Sequence, residues 1–124
     1  MSVTIIQPGG LMPLDPSDVR VVVADWDLSN LASGITITSS TWTITVIKQN
    51  GMTALTKDSP AILTAAEATA ALARTVTISR ATHVRLIATT ATIGDVYEVE
   101  NAIVTSESPT QTKAKSFRVA IENQ

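Results

Sequence analysis

The residues that could carry chemistry in this chain are few and widely separated. The single histidine, His83, is the only imidazole available to a Ser-His-Asp triad, and no nucleophile-elbow sequence stands beside it. The glycines occur singly or as Gly9-Gly10, without the pattern of a phosphate-binding loop. The chain has no cysteine, which excludes disulfides and thiolate zinc sites. We therefore expect no enzyme activity, and we expect His83 to be a surface residue of a strand.

Two pairs of carboxylates could suggest a metal site or an acid–base pair. Asp25 and Asp27 flank Trp26, but no Asp-x-Asp-x-Asp-Gly calcium loop surrounds them. Glu98 and Glu100 lie two residues apart in a predicted strand, which is also the spacing of any solvated strand face. The sequence therefore predicts no metal, no cofactor and no catalytic residue.

The charge balance argues against nucleic acid as a partner. The 124 residues carry a formal net charge of -2, from nine basic and eleven acidic side chains. Lys113, Lys115 and Arg118 are the nearest thing to a basic cluster, and we expect them to form a solvated strand face. No run approaches the roughly 18 apolar residues of a membrane span. The first fourteen residues contain no Lys or Arg and do not have the pattern of a signal peptide. From these two observations we expect no membrane partner.

Threonine, valine and isoleucine, which suit strands, form alternating runs along most of the chain. These runs predict strands at 36–46, 75–79, 83–89, 95–105 and 115–121. A run that is apolar on both faces predicts a further strand at 19–26. The apolar side chains on the inner faces of these strands are expected to form the core: Val21, Val23, Trp42, Ile44, Val46, Val76, Ile78, Val84, Leu86, Tyr97, Val99, Ile103, Phe117, Val119 and Ile121. Trp26 is expected to be buried as well.

Residues 47–74 interrupt this pattern and are interpreted as an insertion. Turn signals at Asn50-Gly51 and Asp58-Ser59-Pro60 precede an alanine-rich run. Thr64 and Glu67 have the spacing of a capping box. Because alanine is the best helix former, we expect a short helix at about 65–73.

Residues 1–14 are interpreted as an N-terminal arm ahead of a single domain at 15–124. The sequence Pro8-Gly9-Gly10 breaks any regular element within the arm. The apolar residues of the arm are expected to dock on a neighbouring subunit: Ile5, Ile6, Leu11, Met12 and Leu14. A frayed tail, or a strand on the chain's own sheet, are the alternatives.

The element pattern predicts an all-β fold, an antiparallel immunoglobulin-like β-sandwich of about seven strands with a short helix in the insertion. Tyr97 stands early in the penultimate strand, where a tyrosine corner is expected. Because there is no cysteine pair, the domain is not of the antibody type.

Several short motifs occur in a fixed order along the chain: Asp25-Trp26 at a strand end, Thr38-Ser39-Ser40-Thr41-Trp42-Thr43, Gly94-Asp95-Val96-Tyr97 followed by Val99 and Asn101, and Ser116-Phe117-Arg118-Val119. In this order they resemble the small immunoglobulin-like structural proteins in the virions of tailed bacteriophages. The resemblance covers roughly 15–46 and 75–121. The chain departs from the family in residues 47–74 and in a longer loop at 106–113.

The resemblance implies a non-enzymatic component of the virion, assembled in the cytoplasm of the host bacterium. The implied role is a capsid decoration or cement protein, or a head-associated fiber protein. Such a protein binds other virion proteins, such as the major capsid protein or neck and tail proteins, through its arm, strand edges and insertion, and is expected to form homo-oligomers. A neck or tail accessory protein and a free-standing adhesion or carbohydrate-binding module are the alternatives.

Overall fold

The computed structural model describes residues 3–6, 8–26, 31, 34–50, 55–89 and 91–122. This part of the chain contains eight β-strands and one α-helix. In chain order the elements are β1 (Val3–Ile5), β2 (Leu11–Leu14), β3 (Val19–Asp25), β4 (Ile37–Lys48), β5 (Thr56–Ile62), α1 (Ala65–Leu72), β6 (Ala81–Ile87), β7 (Val96–Thr105) and β8 (Thr112–Ile121).

The strands form two four-stranded sheets that pack face to face. Sheet A has the order β1-β3-β6-β5, and sheet B has the order β2-β8-β7-β4. Neighbouring strands are antiparallel except for two parallel pairs, β1 with β3 and β2 with β8. The arrangement of β3, β6 and β5 opposite β4, β7 and β8 is that of the immunoglobulin fold. The predicted all-β immunoglobulin-like sandwich with a short helix is therefore confirmed, with eight strands in place of about seven.

The core between the sheets contains most of the side chains that alternation assigned to it. Those buried between the sheets are Trp42, Val84, Leu86, Tyr97, Val99, Ile103, Phe117, Val119 and Ile121, together with Trp26. Val23 and Val76 are buried in a second apolar cluster, against which Val21 packs, so the predicted inner face of β3 is wrong: Val22 and Ala24 face the main core instead. Val21, Ile44 and Ile78 are half-buried. The prediction for Val46 is wrong, because its side chain is 48% exposed. Val46 adjoins a register shift on β4, an edge strand that only β7 flanks within its sheet, so alternation overstates its burial.

Helix α1 covers the outer face of sheet A rather than extending away from the domain. Its buried side chains Ala68 and Leu72 belong to a second apolar cluster that includes Val23, Leu63 and Ala81. The predicted capping box is present at its first turn. The Thr64 hydroxyl accepts from the Glu67 backbone N–H at 3.2 Å, and the Glu67 carboxylate accepts from the Thr64 N–H at 3.0 Å.

The predicted strand at 75–79 is absent, because hydrogen bonds to the helix replace strand pairing. The Thr69 hydroxyl accepts from the Val76 N–H at 2.9 Å and lies 3.1 Å from the Val76 carbonyl oxygen. Conversely, β5 forms where Asp58-Ser59-Pro60 predicted a break. The break is a register shift between Asp58 and Ala61 on an edge strand, where proline is tolerated. Part of the predicted insertion 47–74 is therefore a strand of sheet A.

The N-terminal residues belong to the sandwich itself, which corrects the predicted separation of arm 1–14 from domain 15–124. Strand β1 pairs with β3 and strand β2 with β8. Ile6, Met12 and Leu14 are buried in the main core. The alternative of strands on the chain's own sheets is therefore the correct one for residues 3–5 and 11–14.

Candidate functional site

The structure separates the residues that could carry chemistry. His83 is half-buried in β6, opposite Val23 and Ala61 of the neighbouring strands. Glu98 and Glu100 lie on the outer face of sheet B, and Asp27 lies outside the described residues. Among the residues that are described, no three His, Asp or Glu side chains come close enough together to hold a metal ion.

The predicted basic cluster is divided between two faces of β8. Lys115 is on the inner side, where its Nζ lies 4.7 Å from the centre of the Trp26 ring and donates to the Asp25 carbonyl oxygen at 2.6 Å. Burial lowers the pKa of Lys115, and the negative charge of Asp25 opposes that shift. The Asp25 carboxylate is paired with Arg74 at 2.8 Å, and Arg118 is exposed on the other face. The predicted solvated face of three cations is therefore wrong.

A buried polar network joins the two sheets at Asn101. The Oδ1 atom of Asn101 accepts from the Trp26 indole N–H at 2.9 Å and from the Thr82 hydroxyl at 2.6 Å. Its Nδ2 atom donates to the Ser40 hydroxyl oxygen at 2.8 Å and to the Thr41 carbonyl oxygen at 3.3 Å. The side chains of Trp26, Ser40 and Asn101 and the carbonyl group of Thr41, all within the motifs of the virion-protein resemblance, therefore stabilise the fold.

A second buried network fixes the turn before β7. The Asp95 carboxylate accepts from the Tyr97 hydroxyl at 2.6 Å, from the Asn50 N–H at 2.6 Å and from the Thr92 N–H at 3.1 Å. The Tyr97 hydroxyl thus donates to the carboxylate of Asp95, and its backbone hydrogen bond is to Leu55 rather than to a residue shortly upstream, as in a tyrosine corner. Burial, reinforced by this hydrogen bond, raises the pKa of Tyr97 to about 12. The phenol therefore stays protonated at neutral pH.

The candidate binding surface is a cleft between the edge strands β1 and β2, called here the N-terminal cleft. It has a volume of about 170 Å³. Its walls are formed by Thr4, Ile5, Ile6, Gly10, Leu11, Met12, Pro13 and Phe117. Leu11 is 64% exposed and Ile5 is 38% exposed, whereas Ile6, Met12 and Phe117 form the buried floor. Among the described residues that line the cleft, none has a charged side chain.

The sequence between β1 and β2 explains why the cleft forms. Pro8-Gly9-Gly10 reverses the chain as it passes from sheet A to sheet B, and Gly9 adopts a φ of 74°, which L side chains rarely adopt. The Gly9 N–H donates to the Ser116 carbonyl oxygen at 2.8 Å, and the Gly10 carbonyl oxygen accepts from the Arg118 N–H at 2.8 Å. The two strands consequently belong to different sheets, and their apolar side chains line the gap between those sheets.

An apolar cleft of this kind can accept an aliphatic or aromatic side chain of another protein. Burying an exposed leucine contributes about 1.5–3 kcal/mol, so Leu11 can act as an anchor for such a contact.

The aromatic residues are all withdrawn from the surface. The chain has two tryptophans, one tyrosine and one phenylalanine. Trp26 is 1% exposed, Trp42 4%, Tyr97 0% and Phe117 3%. None of the four rings is therefore exposed as a surface on which a ligand could stack.

Sequence reasoning identified one wall of the N-terminal cleft and missed the other residues. Ile5, Ile6, Leu11 and Met12 were predicted as interface residues and do line it, whereas Leu14 is fully buried. Thr4, Gly10 and Pro13 were not predicted, and Phe117 was assigned to the core alone. Phe117 lies more than a hundred positions from β1, so no local pattern connects them.

Comparisons with known proteins give a fold but no family. No protein-family model and no curated protein matches the chain. Among solved structures, it is similar to a cysteine protease inhibitor from Entamoeba histolytica. The TM-score is 0.51 at 9% sequence identity, over 97% of this chain and 95% of that one. In the described residues, no helix is long and apolar enough to cross a membrane. At this identity the likeness shows the immunoglobulin-like sandwich alone, because one fold serves many functions.

Proposed function

We propose that this chain is a non-enzymatic structural protein of a tailed-bacteriophage virion, acting as a capsid decoration or cement protein or as part of a head-associated fiber. It binds other virion proteins and works within the assembled particle. The observation that carries the proposal is the N-terminal cleft, an uncharged apolar surface with Leu11 largely exposed at its rim. Such a surface suits a lasting protein contact.

The ordered motifs of the virion-protein resemblance support the proposal that the partner is another protein of the virion. Their residues have structural roles here, as in the Trp26–Asn101 hydrogen bond between the sheets. A fold built around such contacts leaves its edges and clefts to interact with other chains. The contact surface proposed here therefore lies outside the motifs, in β1 and β2.

The test is quantitative mass spectrometry of gradient-purified particles of the phage that encodes this chain. A copy number on the scale of the capsid lattice supports capsid decoration, whereas a few copies to a few dozen support the neck, tail or fiber alternatives. Absence of the chain from the particles contradicts the virion proposal. Clear binding on a glycan array would then favour a free-standing adhesion or carbohydrate-binding module.

The contribution of the N-terminal cleft is tested with Leu11→Asp. Because Leu11 is mostly exposed, the variant should fold normally, yet a charge at the rim should reduce incorporation into particles by about tenfold or more. Ile93→Asp is the matched control, since Ile93 is 49% exposed and lies outside the cleft. Equal incorporation of both variants would exclude the cleft as the contact surface.

A further inference from the structure

Three of the four sheet edges carry features that discourage pairing with another chain. Strand β1 has three residues, and β2 contains Pro13, which lacks a backbone N–H. Strand β5 contains Pro60, a register shift, and the charged residues Lys57 and Asp58. Short length, proline, bulges and charge are the usual devices that keep edges unpaired.

The fourth edge, β4, lacks these devices over its central part. It spans twelve residues, and its pairing with β7 is regular from Ser39 to Val46. No proline or charged residue occurs in that stretch. Among the described residues, the backbone hydrogen bonds of this stretch go to β7 alone, which leaves its other side available.

We propose that β4 pairs antiparallel with β4 of a second copy of this chain, joining two B sheets across a two-fold axis at Thr43. Residues directly opposite each other in an antiparallel pair point to the same face of the sheet. A two-fold axis between two residues would place consecutive residues, which point to opposite faces, opposite each other. The axis must therefore pass through one residue, which lies opposite its own copy. With Thr43 at the axis, Thr41 lies opposite Thr45 of the second copy. The outer face then consists of threonine–threonine pairs, which are favourable cross-strand neighbours.

The inner face of the same register is also complementary. Trp42 lies opposite Ile44 of the second copy, an aromatic and β-branched pair. Val46, which is 48% exposed in the single chain, lies opposite Ser40 and is covered by the added strand. This accounts for an inward-facing apolar residue that the isolated domain leaves exposed.

Charge favours a second copy as the occupant. When β4 pairs with its own copy, a charged residue near the two-fold axis lies close to the same residue of the second copy. The two like charges would then repel each other. The uncharged stretch from Ser39 to Val46 avoids that repulsion, and Lys48 lies opposite Thr38. This inference rests on the proposed assembly role and deepens it by naming one contact.

The oligomeric state of the full chain tests the pairing. Sedimentation of the purified protein through the millimolar range should show a dimer. Thr43→Lys should raise the dissociation constant by about tenfold or more, because it brings like charges opposite each other. Thr56→Lys is the matched control, since it adds the same charge on the edge strand β5, and it should dimerise as the original chain does.

Cross-linking supplies a second measurement, because the chain contains no cysteine. Thr43→Cys should form a disulfide-linked dimer on oxidation, since residues directly opposite in a strand pair are within reach of a disulfide. Thr56→Cys should not. A monomeric chain, an unaffected Thr43→Lys dimer, or equal cross-linking of both cysteine variants would overturn the proposal. If the purified chain is monomeric but is present in the phage particles, the β4 pairing is contradicted and the proposed virion role is not.

Discussion

Replacing Asn101 with leucine removes the group that joins the two sheets. The change leaves the Trp26 indole N–H and the Thr82 hydroxyl without their acceptor, and both residues are at most 1% exposed. A buried donor left without a partner costs about 1–3 kcal/mol, so we expect Asn101→Leu to lower the free energy of unfolding by about 2–6 kcal/mol. That is a large fraction of the roughly 5–15 kcal/mol typical of a domain.

A double-mutant cycle with Thr82 separates this mechanism from a simple packing defect. Thr82→Val replaces the hydroxyl with a methyl group of similar size. In the original chain it removes a satisfied hydrogen bond and should cost about 1 kcal/mol. In the Asn101→Leu background the same change removes an unsatisfied donor, so it should stabilise the protein. We therefore expect the effect of Thr82→Val to change sign between the two backgrounds.

The assay is urea denaturation followed by tryptophan fluorescence and circular dichroism, with unchanged m-values as evidence that the denatured state is the same. Thr82→Ser is the matched control, because serine retains the hydroxyl group. Its effect on the free energy of unfolding should be the same in the original chain as in the Asn101→Leu variant. The reasoning is refuted when Thr82→Val is equally destabilising in both backgrounds, within the ~0.5 kcal/mol expected of independent sites.

Three further predictions concern Tyr97, Trp42 and Thr64. The pKa of Tyr97 is raised from an ordinary 10 to about 12, so folding favours the protonated phenol. The stability that this preference contributes, roughly 2–3 kcal/mol, is fully present below pH 10 and is lost as the pH rises towards 12. Tyr97→Phe should abolish this pH dependence when the free energy of unfolding is measured across that range. Trp42→Ala should cost about 3–5 kcal/mol in urea denaturation because the ring is 4% exposed, and a cost below about 1 kcal/mol would contradict its place in the core. Thr64→Ala removes the helix cap and should cost about 1 kcal/mol, whereas Thr64→Ser should be close to neutral in the same measurement.

Local patterns were sufficient for the elements whose hydrogen bonds and faces repeat along the chain. Strands β4, β7 and β8 were predicted because alternation places their apolar side chains on one face, and β3 because its run is apolar on both faces. Helix α1 was predicted because its cap and its alanines are neighbours in sequence. The segment 75–79 was assigned wrongly because it has the residue types of a strand while its backbone bonds to Thr69.

The sequence by itself determined the fold class, the helix and most of the core, since these depend on residues within a few positions of one another. The tertiary structure decided that β1 and β2 join the two sheets, and that Trp26 bonds to Asn101 across 75 positions. It also decided that the N-terminal cleft exists and that β4 is the unprotected edge. Such features depend on which strands become neighbours and in which register, and that outcome is set by the packing of the whole chain rather than by any local run of residues.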